Sequence, residues 1–255
     1  MLFSVGYLPV TQPALDISNL SFAYPGRPAT LHNITLQIAP TERVGLIGPN
    51  GAGKTTLFML VCGVLTPKSG EILSFGKAVK PGQFHPDVNM VFQNSNDQLF
   101  SPTVWDDVAF GPQNLGLSPA EVKARVDHVL NLTGVTELAD RPPHHLSGGE
   151  KRMVSIAGVL AMNPRLVVYD EPSANLDLRA RRRLLEFLKA AEHAMLVSSH
   201  DLEFVLELCD RVILMDEGGI ITQGVPAEVM RDQALMEAHG LEKPHSLIPH
   251  PHHVV

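Results

Sequence analysis

The chain has 255 residues, of which 44% are hydrophobic and 18% are charged, and its net charge is -7 at pH 7. This composition predicts a globular, soluble protein with a sizeable core, and the negative charge argues against broad nucleic-acid binding, which requires a basic surface. No apolar stretch is long enough to span a bilayer, and the best candidate, Ser155–Met162, is cut off by Asn163, Pro164 and Arg165. Without a signal peptide pattern, and with Cys62 and Cys209 in apolar helical patterns, we expect a reduced protein of the cytoplasm.

A phosphate-binding loop is predicted near the start of the chain. The apolar run Val44–Ile47 reads as a buried strand, and the following residues match G-x-x-x-x-G-K-[ST]. The residues of the loop are Gly48, Pro49, Asn50, Gly51, Ala52, Gly53, Lys54 and Thr55. Glycines let backbone amides turn towards phosphate oxygens at the start of a helix. We expect Lys54 to add charge for the outer phosphates, the Thr55 hydroxyl to coordinate Mg²⁺, and Thr56 to bind phosphate. An incidental glycine-rich turn is the alternative, but the match favours nucleoside triphosphate binding.

The first 160 residues are predicted to fold as two parts of different structure. Residues from about 14 to 93 are expected to give an antiparallel edge sheet and the first nucleotide-binding strands and helix. Residues from about 94 to 160 are expected to form a helical lobe. Within it, residues 121–132 place apolar side chains at helical spacing.

A second helix start is predicted at Ser147. This serine is an N-cap, and Glu150 three residues later completes a capping box. A well-capped helix explains both of these residues. It does not explain Gly148 and Gly149, because glycine destabilises a helix unless something approaches its backbone closely.

Acidic residues follow the next predicted strand. The apolar run Leu166–Tyr169 is typical of a buried parallel strand, and it ends in Asp170 and Glu171. Ligands of open α/β sheets collect beyond the carboxyl ends of the strands, so these acids should meet the phosphate loop. We expect Asp170 to hold Mg²⁺ and Glu171 to polarise the water that attacks the γ-phosphate. A helix-capping acid pair is the alternative.

One more strand, Met195–Ser199, ends at His200. A lone histidine is more often structural than catalytic, but the position at a strand's carboxyl end favours function. We expect His200 to bond the γ-phosphate and orient the water. The motif Asp216–Gly219 then predicts a hairpin turn, and Pro226–Arg231 predicts a short helix.

Taken in order, these motifs resemble the ATP-binding subunits of ABC transporters over nearly the whole chain. The matching segments are the phosphate loop, Gln93, the Leu-Ser-Gly-Gly-Glu run at 146–150, the acid pair at 170–171, the Asn-Leu-Asp run at 175–177 and His200. The resemblance implies a single domain over residues 14–243 with an α/β P-loop NTPase fold. Its expected parts are a RecA-like core, an antiparallel β-subdomain and a helical subdomain.

The resemblance also implies roles for residues outside the phosphate loop. Two such domains would face each other head to tail, with Ser147, Gly148 and Gly149 on the partner's nucleotide and Asp177 communicating across the dimer. Tyr24 matches the aromatic that stacks on adenine, although a core aromatic on a strand is the alternative. Gln93 matches the glutamine that reaches Mg²⁺ and heads the segment touching the membrane partner.

Further segments narrow the resemblance. Residues 91–100 and 107–112 resemble energy-coupling-factor ATPases, which drive uptake of vitamins and transition metals. Residues 143–145, 157–162 and 237–241 look most like the cobalt and nickel branch. Met153, Ser173 and Asn175 depart from the common pattern, and none of these departures removes a catalytic group.

The sequence therefore predicts an ATP- and Mg²⁺-dependent ATPase that powers cobalt or nickel import. Its expected partners are a second ATPase subunit, identical or different, and a membrane permease, and its expected place is the cytoplasmic face of the membrane. The alternatives are import of another solute such as a vitamin, or a soluble ABC ATPase without transport. A metal-binding role is also open for the tail at 244–255, which is expected to be flexible. Its histidines, His245, His250, His252 and His253, could ligate a divalent ion or be incidental.

Overall fold

The computed structural model describes residues 12–248, which form two sheets and a group of helices. The strands are β1 (Leu15–Ala23), β2 (Ala29–Ile38), β3 (Arg43–Ile47), β4 (Ser69–Ser74), β5 (Lys77–Ala78), β6 (Val88–Val91), β7 (Leu166–Tyr169), β8 (Ala194–Ser198), β9 (Arg211–Asp216) and β10 (Gly219–Gly224). The helices are α1 (Lys54–Val61), α2 (Val104–Asn114), α3 (Pro119–Thr133), α4 (Gly148–Leu160), α5 (Leu178–Ala190), α6 (Leu202–Leu208), α7 (Pro226–Arg231) and α8 (Gln233–Ala238).

The larger sheet has six strands in the order β10-β9-β3-β8-β7-β6. All neighbouring pairs are parallel except the β9–β10 hairpin. The predicted strands at 44–47, 166–169 and 195–199 are its three central strands, and their side chains are buried on both faces. The carboxyl ends of β3, β7 and β8 therefore lie along one edge.

The smaller sheet is antiparallel, in the order β2-β1-β4-β5. Alternate residues of β7 divide the interior into two cores. Val167 and Tyr169 pack with α2 to α6, whereas Leu166 and Val168 pack with α1 and the antiparallel sheet. This period of two follows from the strand pleat, which points successive side chains to opposite faces. The α/β fold class is thus confirmed.

The helical lobe consists of α2, α3 and the first part of α4. In α3 the predicted inward face is confirmed, because Val122, Val126, Val129 and Leu130 are all buried. Ser118 caps the helix with a full capping box, and Gly134 ends it in the left-handed conformation. These local signals fix both ends of the helix, and the apolar stripe fixes its rotation.

The C-terminal end of the described chain contacts the helices that cover the larger sheet. Ser246 donates to both carboxylate oxygens of Glu203 on α6, from N at 2.9 Å and from Oγ at 2.6 Å, and Leu247 packs against the core. A 3-10 turn spans His245–Leu247, at the start of the segment for which the sequence predicts a flexible tail. His250, His252 and His253 lie outside the described residues. Among residues 12–248, none of the helices is long and apolar enough to cross a bilayer.

Candidate nucleotide-binding site

The glycine-rich loop joins β3 to α1 along the carboxyl edge of the sheet. Gly48, Gly51 and Gly53 all have positive φ, at 149°, 86° and 100°. At Gly48 a Cβ atom would lie 1.9 Å from the carbonyl oxygen of Met215 on β9, so only glycine fits there. The loop wraps closely over the end of β9, and the amides of the first turn of α1 have no intrahelical acceptors. A helix N-terminus of this kind attracts phosphate.

Lys54 places a positive charge inside the loop. Its Nζ donates to the carbonyl oxygens of Gly48 at 2.7 Å and Pro49 at 2.9 Å. Burial lowers the pKa of the Lys54 ammonium, while the nearby charges of Glu171 and Asp170 act to raise it. The ammonium is therefore held at the phosphate loop by short bonds and faces both acids.

Asp170 is fixed at both carboxylate oxygens. Thr55 Oγ1 donates to Oδ2 at 3.0 Å, and Ser198 Oγ donates to Oδ1 at 2.6 Å. Hydroxyl and carboxylate oxygens are the ligands that Mg²⁺ prefers, and Mg²⁺ sites usually combine one or two carboxylates with substrate phosphates. The donor set of Thr55 and Asp170 therefore fits this ion.

Glu171 lies beside His200 in a strained backbone conformation, with φ at 47°. Its Oε2 accepts the backbone N–H of His200 at 3.0 Å, and its own N–H donates to Ser198 Oγ at 2.9 Å. The buried Oε1 lies 3.4 Å from His200 Nε2 but has no hydrogen-bond partner within residues 12–248. Burial raises the pKa of this carboxyl, which the bond and charge of His200 partly oppose. One carboxylate oxygen thus remains available to accept a proton.

A cavity of about 270 Å³ brings most of the predicted site together. Its lining residues are Thr30, Asn50, Gly51, Gly53, Lys54, Thr55, Thr56, Gln93, Asp170, Glu171 and His200. Tyr24 stands at its edge, with the phenol oxygen 3.4 Å from Thr56 Oγ1 and the ring edge-to-face with Phe22 at 4.9 Å. The sequence motifs from three separate strands therefore converge on one concave, polar site.

The Ser147 segment lies elsewhere. The predicted capping box is confirmed: Ser147 N and Oγ donate to Glu150 Oε2 at 2.8 and 2.7 Å, and Glu150 N donates back to Ser147 Oγ. Gly148 lines a different cavity, of about 250 Å³. Asp177 caps α5 by accepting the N–H of Ala180 at 2.7 Å. Within one chain, the structure therefore does not bring Ser147, Gly148, Gly149 or Asp177 to the phosphate loop.

Three contributors to the site were not predicted from the sequence. Ser198 bridges the two acids, Thr30 enters from the antiparallel sheet, and Arg152 on α4 donates to the carbonyl oxygens of Phe92 and Gln93. The strand end before His200 was a signal for Ser198. Thr30 and Arg152 carry no local signal, because their contacts depend on how distant elements pack.

A phosphate loop, an acid pair and a histidine on adjacent parallel strands define a P-loop nucleotide-binding ATPase. Residues 31–174 match the family model described as ABC transporter. The chain belongs to the ABC transporter family, whose ATP-binding subunits bind and hydrolyse ATP.

Similar proteins match most of this chain. The energy-coupling factor transporter ATP-binding protein EcfA of Methanothermobacter thermautotrophicus is 41% identical over 238 residues, which cover 90% of this chain and 76% of the relative. The cobalt import ATP-binding protein CbiO of Rhodobacter capsulatus is 42% identical over 242 residues, covering 91% and 86%. The solved structure of cbiO1 from Clostridium perfringens, part of the ABC transporter complex cbiONQ, superimposes with a TM-score of 0.79 at 35% identity, covering 89% of this chain and 94% of that one.

Proposed function

We propose that this ATPase powers import of a transition metal ion, cobalt or nickel, through a separate membrane permease of the energy-coupling-factor type. The name of the cobalt import relative CbiO supports cobalt as the ion, and the EcfA relative and the cbiONQ transporter complex support the transporter class. In this role the protein binds peripherally to the cytoplasmic face of the membrane. The observation that carries the proposal is a groove beside Gln93 that is suited to a permease segment.

This groove, which we call the docking groove, has a volume of about 610 Å³ and lies between the end of β6, α2 and α4. Aromatic side chains form much of it, and three of them are exposed: Phe84 by 61%, Phe100 by 67% and Phe110 by 49%. Scattered apolar residues are normal on a protein surface, but apolar side chains clustered around a groove mark an interaction site. The groove begins where the Gln93 segment leaves the sheet.

Polar atoms without partners also face this part of the molecule. Asp107 uses Oδ1 to accept the N–H groups of Phe100 at 3.0 Å and Ser101 at 2.9 Å. Its buried Oδ2, the Oγ of Ser155 and the Nδ1 of His85 have no hydrogen-bond partner within the described chain, and all three residues line the docking groove. A buried, unpaired carboxylate oxygen is costly, so it favours a partner that brings a donor. We infer that an amphipathic permease segment docks here with its apolar face on the phenylalanines.

The chemistry of hydrolysis follows from the geometry at the acid pair. Glu171 accepts the proton of the attacking water at Oε1, and its raised pKa brings its basicity closer to the working pH. His200 orients this carboxylate through its backbone N–H and lies where it can bond the γ-phosphate. Mg²⁺, held by Thr55, Asp170 and Gln93, would neutralise charge on the outer phosphates. Lys54 and the loop amides bind those phosphates, and Tyr24 stacks on the adenine.

The second half of the nucleotide site comes from another subunit. Gly149 is explained within the chain, because a Cβ there would lie 3.0 Å from Ala180 Cβ, whereas a Cβ at Gly148 would meet nothing within 4 Å. The free space at Gly148, together with the exposed Ser147, supports a close approach by a partner. In the proposed dimer the partner's ATP is contacted by Ser147, Gly148 and Gly149. Asp177 lies at the interface between the two subunits and communicates across it.

The test is uptake of radioactive cobalt and nickel by the ATPase co-expressed with a cobalt- or nickel-type permease. Phe110→Asp in the docking groove should abolish uptake and co-purification with the permease, but leave ATP hydrolysis by the isolated subunit unchanged. Leu132→Asp is the matched control, because Leu132 is an equally exposed apolar residue on α3, away from the groove. Uptake of a vitamin, with neither ion carried, would exclude cobalt and nickel as the transported ions. It would not affect the assignment of the protein as an ATPase.

The histidine-rich tail has a separate test. Deleting residues 249–255 keeps the contact between Ser246 and Glu203, whereas deleting residues 245–255 removes it. Neither deletion should change ATP hydrolysis. A tail that delivers or senses metal should weaken uptake in both deletions, mainly at low external metal, and an incidental tail should leave uptake unchanged.

A further inference from the structure

Arg152 is a buried cation whose partners are backbone carbonyls. It lies on α4 and is only 4% exposed. Its Nη1 donates to the carbonyl oxygen of Phe92 and its Nη2 to that of Gln93, both at 2.6 Å. Burial lowers the pKa of this guanidinium, and the charge of Asp170 opposes that shift. One planar group therefore spans two consecutive carbonyls at the point where β6 ends and the Gln93 segment begins.

Two further contacts tie the same segment to α4. Gln98 Oε1 accepts the N–H of Phe92 at 3.2 Å, and its Nε2 donates to the carbonyl oxygen of Ser155 at 2.8 Å. Lys151 Nζ donates to Asn96 Oδ1 at 2.8 Å. Three residues of α4, Lys151, Arg152 and Ser155, thus hydrogen-bond to residues 92–98. Of the three, Arg152 is the one that bonds to Gln93 itself.

We propose that Arg152 is a positioning residue for Gln93, which it fixes to α4 so that the Gln93 side chain reaches the nucleotide cavity only when α4 is in place. The inference rests on the proposed role of Gln93 at Mg²⁺. The helix α4 begins at Gly148, directly after Ser147, and its side chains also line the docking groove. The Arg152 guanidinium therefore links both of these surfaces to Gln93, the residue proposed to reach Mg²⁺. Lysine cannot replace it, since a single ammonium lacks the planar fork that spans two carbonyls.

The test is the Mg²⁺ concentration that gives half-maximal ATP hydrolysis by the full chain. Arg152→Lys should raise it about tenfold, the usual effect of losing an outer-shell orienting contact. Binding of ATP in the presence of a chelator should not change. Arg183→Lys is the matched control, because Arg183 also donates to two consecutive carbonyls, Thr133 O and Gly134 O, at the C-terminal end of α3. Its half-maximal Mg²⁺ concentration should stay at the wild-type value.

A double-mutant cycle separates positioning from a general structural effect. Gln93→Ala should raise the half-maximal Mg²⁺ concentration, and adding Arg152→Lys to it should cause no further rise. A second multiplicative rise would overturn the inference, because Arg152 would then act without Gln93. If Gln93→Ala has no effect, both the Gln93 role and this inference fail; if only Arg152→Lys has none, the inference alone fails.

A second variant guards against misfolding. Gln98→Leu removes another tie between the segment and α4 while keeping the Arg152 charge buried and paired. It should raise the half-maximal Mg²⁺ concentration in the same direction, by a smaller factor. An unchanged value in both Gln98→Leu and a folded Arg152 variant, checked by melting curves, would contradict the coupling.

Discussion

Gly48→Ala tests whether the phosphate loop is shaped by contact with β9 or only by its own backbone angles. An added Cβ would lie 1.9 Å from the Met215 carbonyl oxygen, which is itself part of the sheet and has little freedom to move. Gly51→Ala is the matched control in the same loop. Its φ of 86° is also positive, but a Cβ there would meet nothing within 4 Å.

Both variants place a side chain at positive φ, but only Gly48→Ala also causes a steric clash. A side chain at positive φ is strained at both positions, where φ is 149° and 86°, at a cost of roughly 1–3 kcal/mol. Overpacking against a fixed backbone adds typically 1–3 kcal/mol, and only Gly48→Ala incurs it. The unfolded chain loses similar entropy in both variants, so that effect cancels. For a chain of this size about 1 kcal/mol shifts the melting temperature by roughly 2–4 °C, so Gly48→Ala should melt roughly 2–12 °C below Gly51→Ala.

Thermal unfolding by circular dichroism, with and without ATP, measures this difference. Without ATP, Gly48→Ala should melt well below Gly51→Ala. With ATP, Gly48→Ala should also gain less stabilisation, since a ligand that binds the native state more weakly stabilises it less. Equal melting temperatures would refute the reasoning, because the loop would then move away from Met215 without cost.

Three further predictions concern Glu171, the dimer and the partly buried His193. Glu171→Gln should keep ATP binding but lose phosphate release, and should accumulate as an ATP-dependent dimer; turnover near the wild-type rate would exclude Glu171 as the base. Ser147→Arg should leave ATP binding by the monomer unchanged and prevent ATP-driven dimerisation in size-exclusion chromatography, whereas normal dimerisation would contradict the head-to-tail site. Burial lowers the pKa of His193 to about 4, so the unfolded chain takes up a proton that the native state does not. Between about pH 6.5 and 4 the wild type should therefore lose up to about 3 kcal/mol relative to His193→Gln in urea unfolding, and parallel pH curves would disprove this.

The parts of the site that the sequence predicts are those set by local rules. The run from Val44 to Lys54 combines a buried strand, glycines at positive φ and a helix start within a dozen residues, so nothing distant has to be known. The capping box at Ser147 is equally local, as its donors and acceptors lie three residues apart. Convergence at the sheet edge follows from the parallel pairing alone.

The unpredicted contacts depend on register and packing between distant segments. Ser198 meets Asp170 because β7 and β8 pair Tyr169 with Val197, which places the next residue of each strand side by side. A shift of one residue would send the serine to the other face. Arg152 reaches Phe92 across 60 positions of sequence, and no local pattern distinguishes it from a solvated arginine.

The glycine pair at 148 and 149 shows how a structure divides a motif that the sequence presents as one feature. Gly149 has a partner inside the chain, Ala180 of α5, so close packing of two helices accounts for it. Gly148 has open space around it, so the fold of one chain does not require glycine at that position. Glycine is also a poor helix former, so local helix preference does not explain it. Packing within residues 12–248 therefore does not require glycine at position 148, and a close approach by a partner, as in the proposed head-to-tail dimer, would explain it.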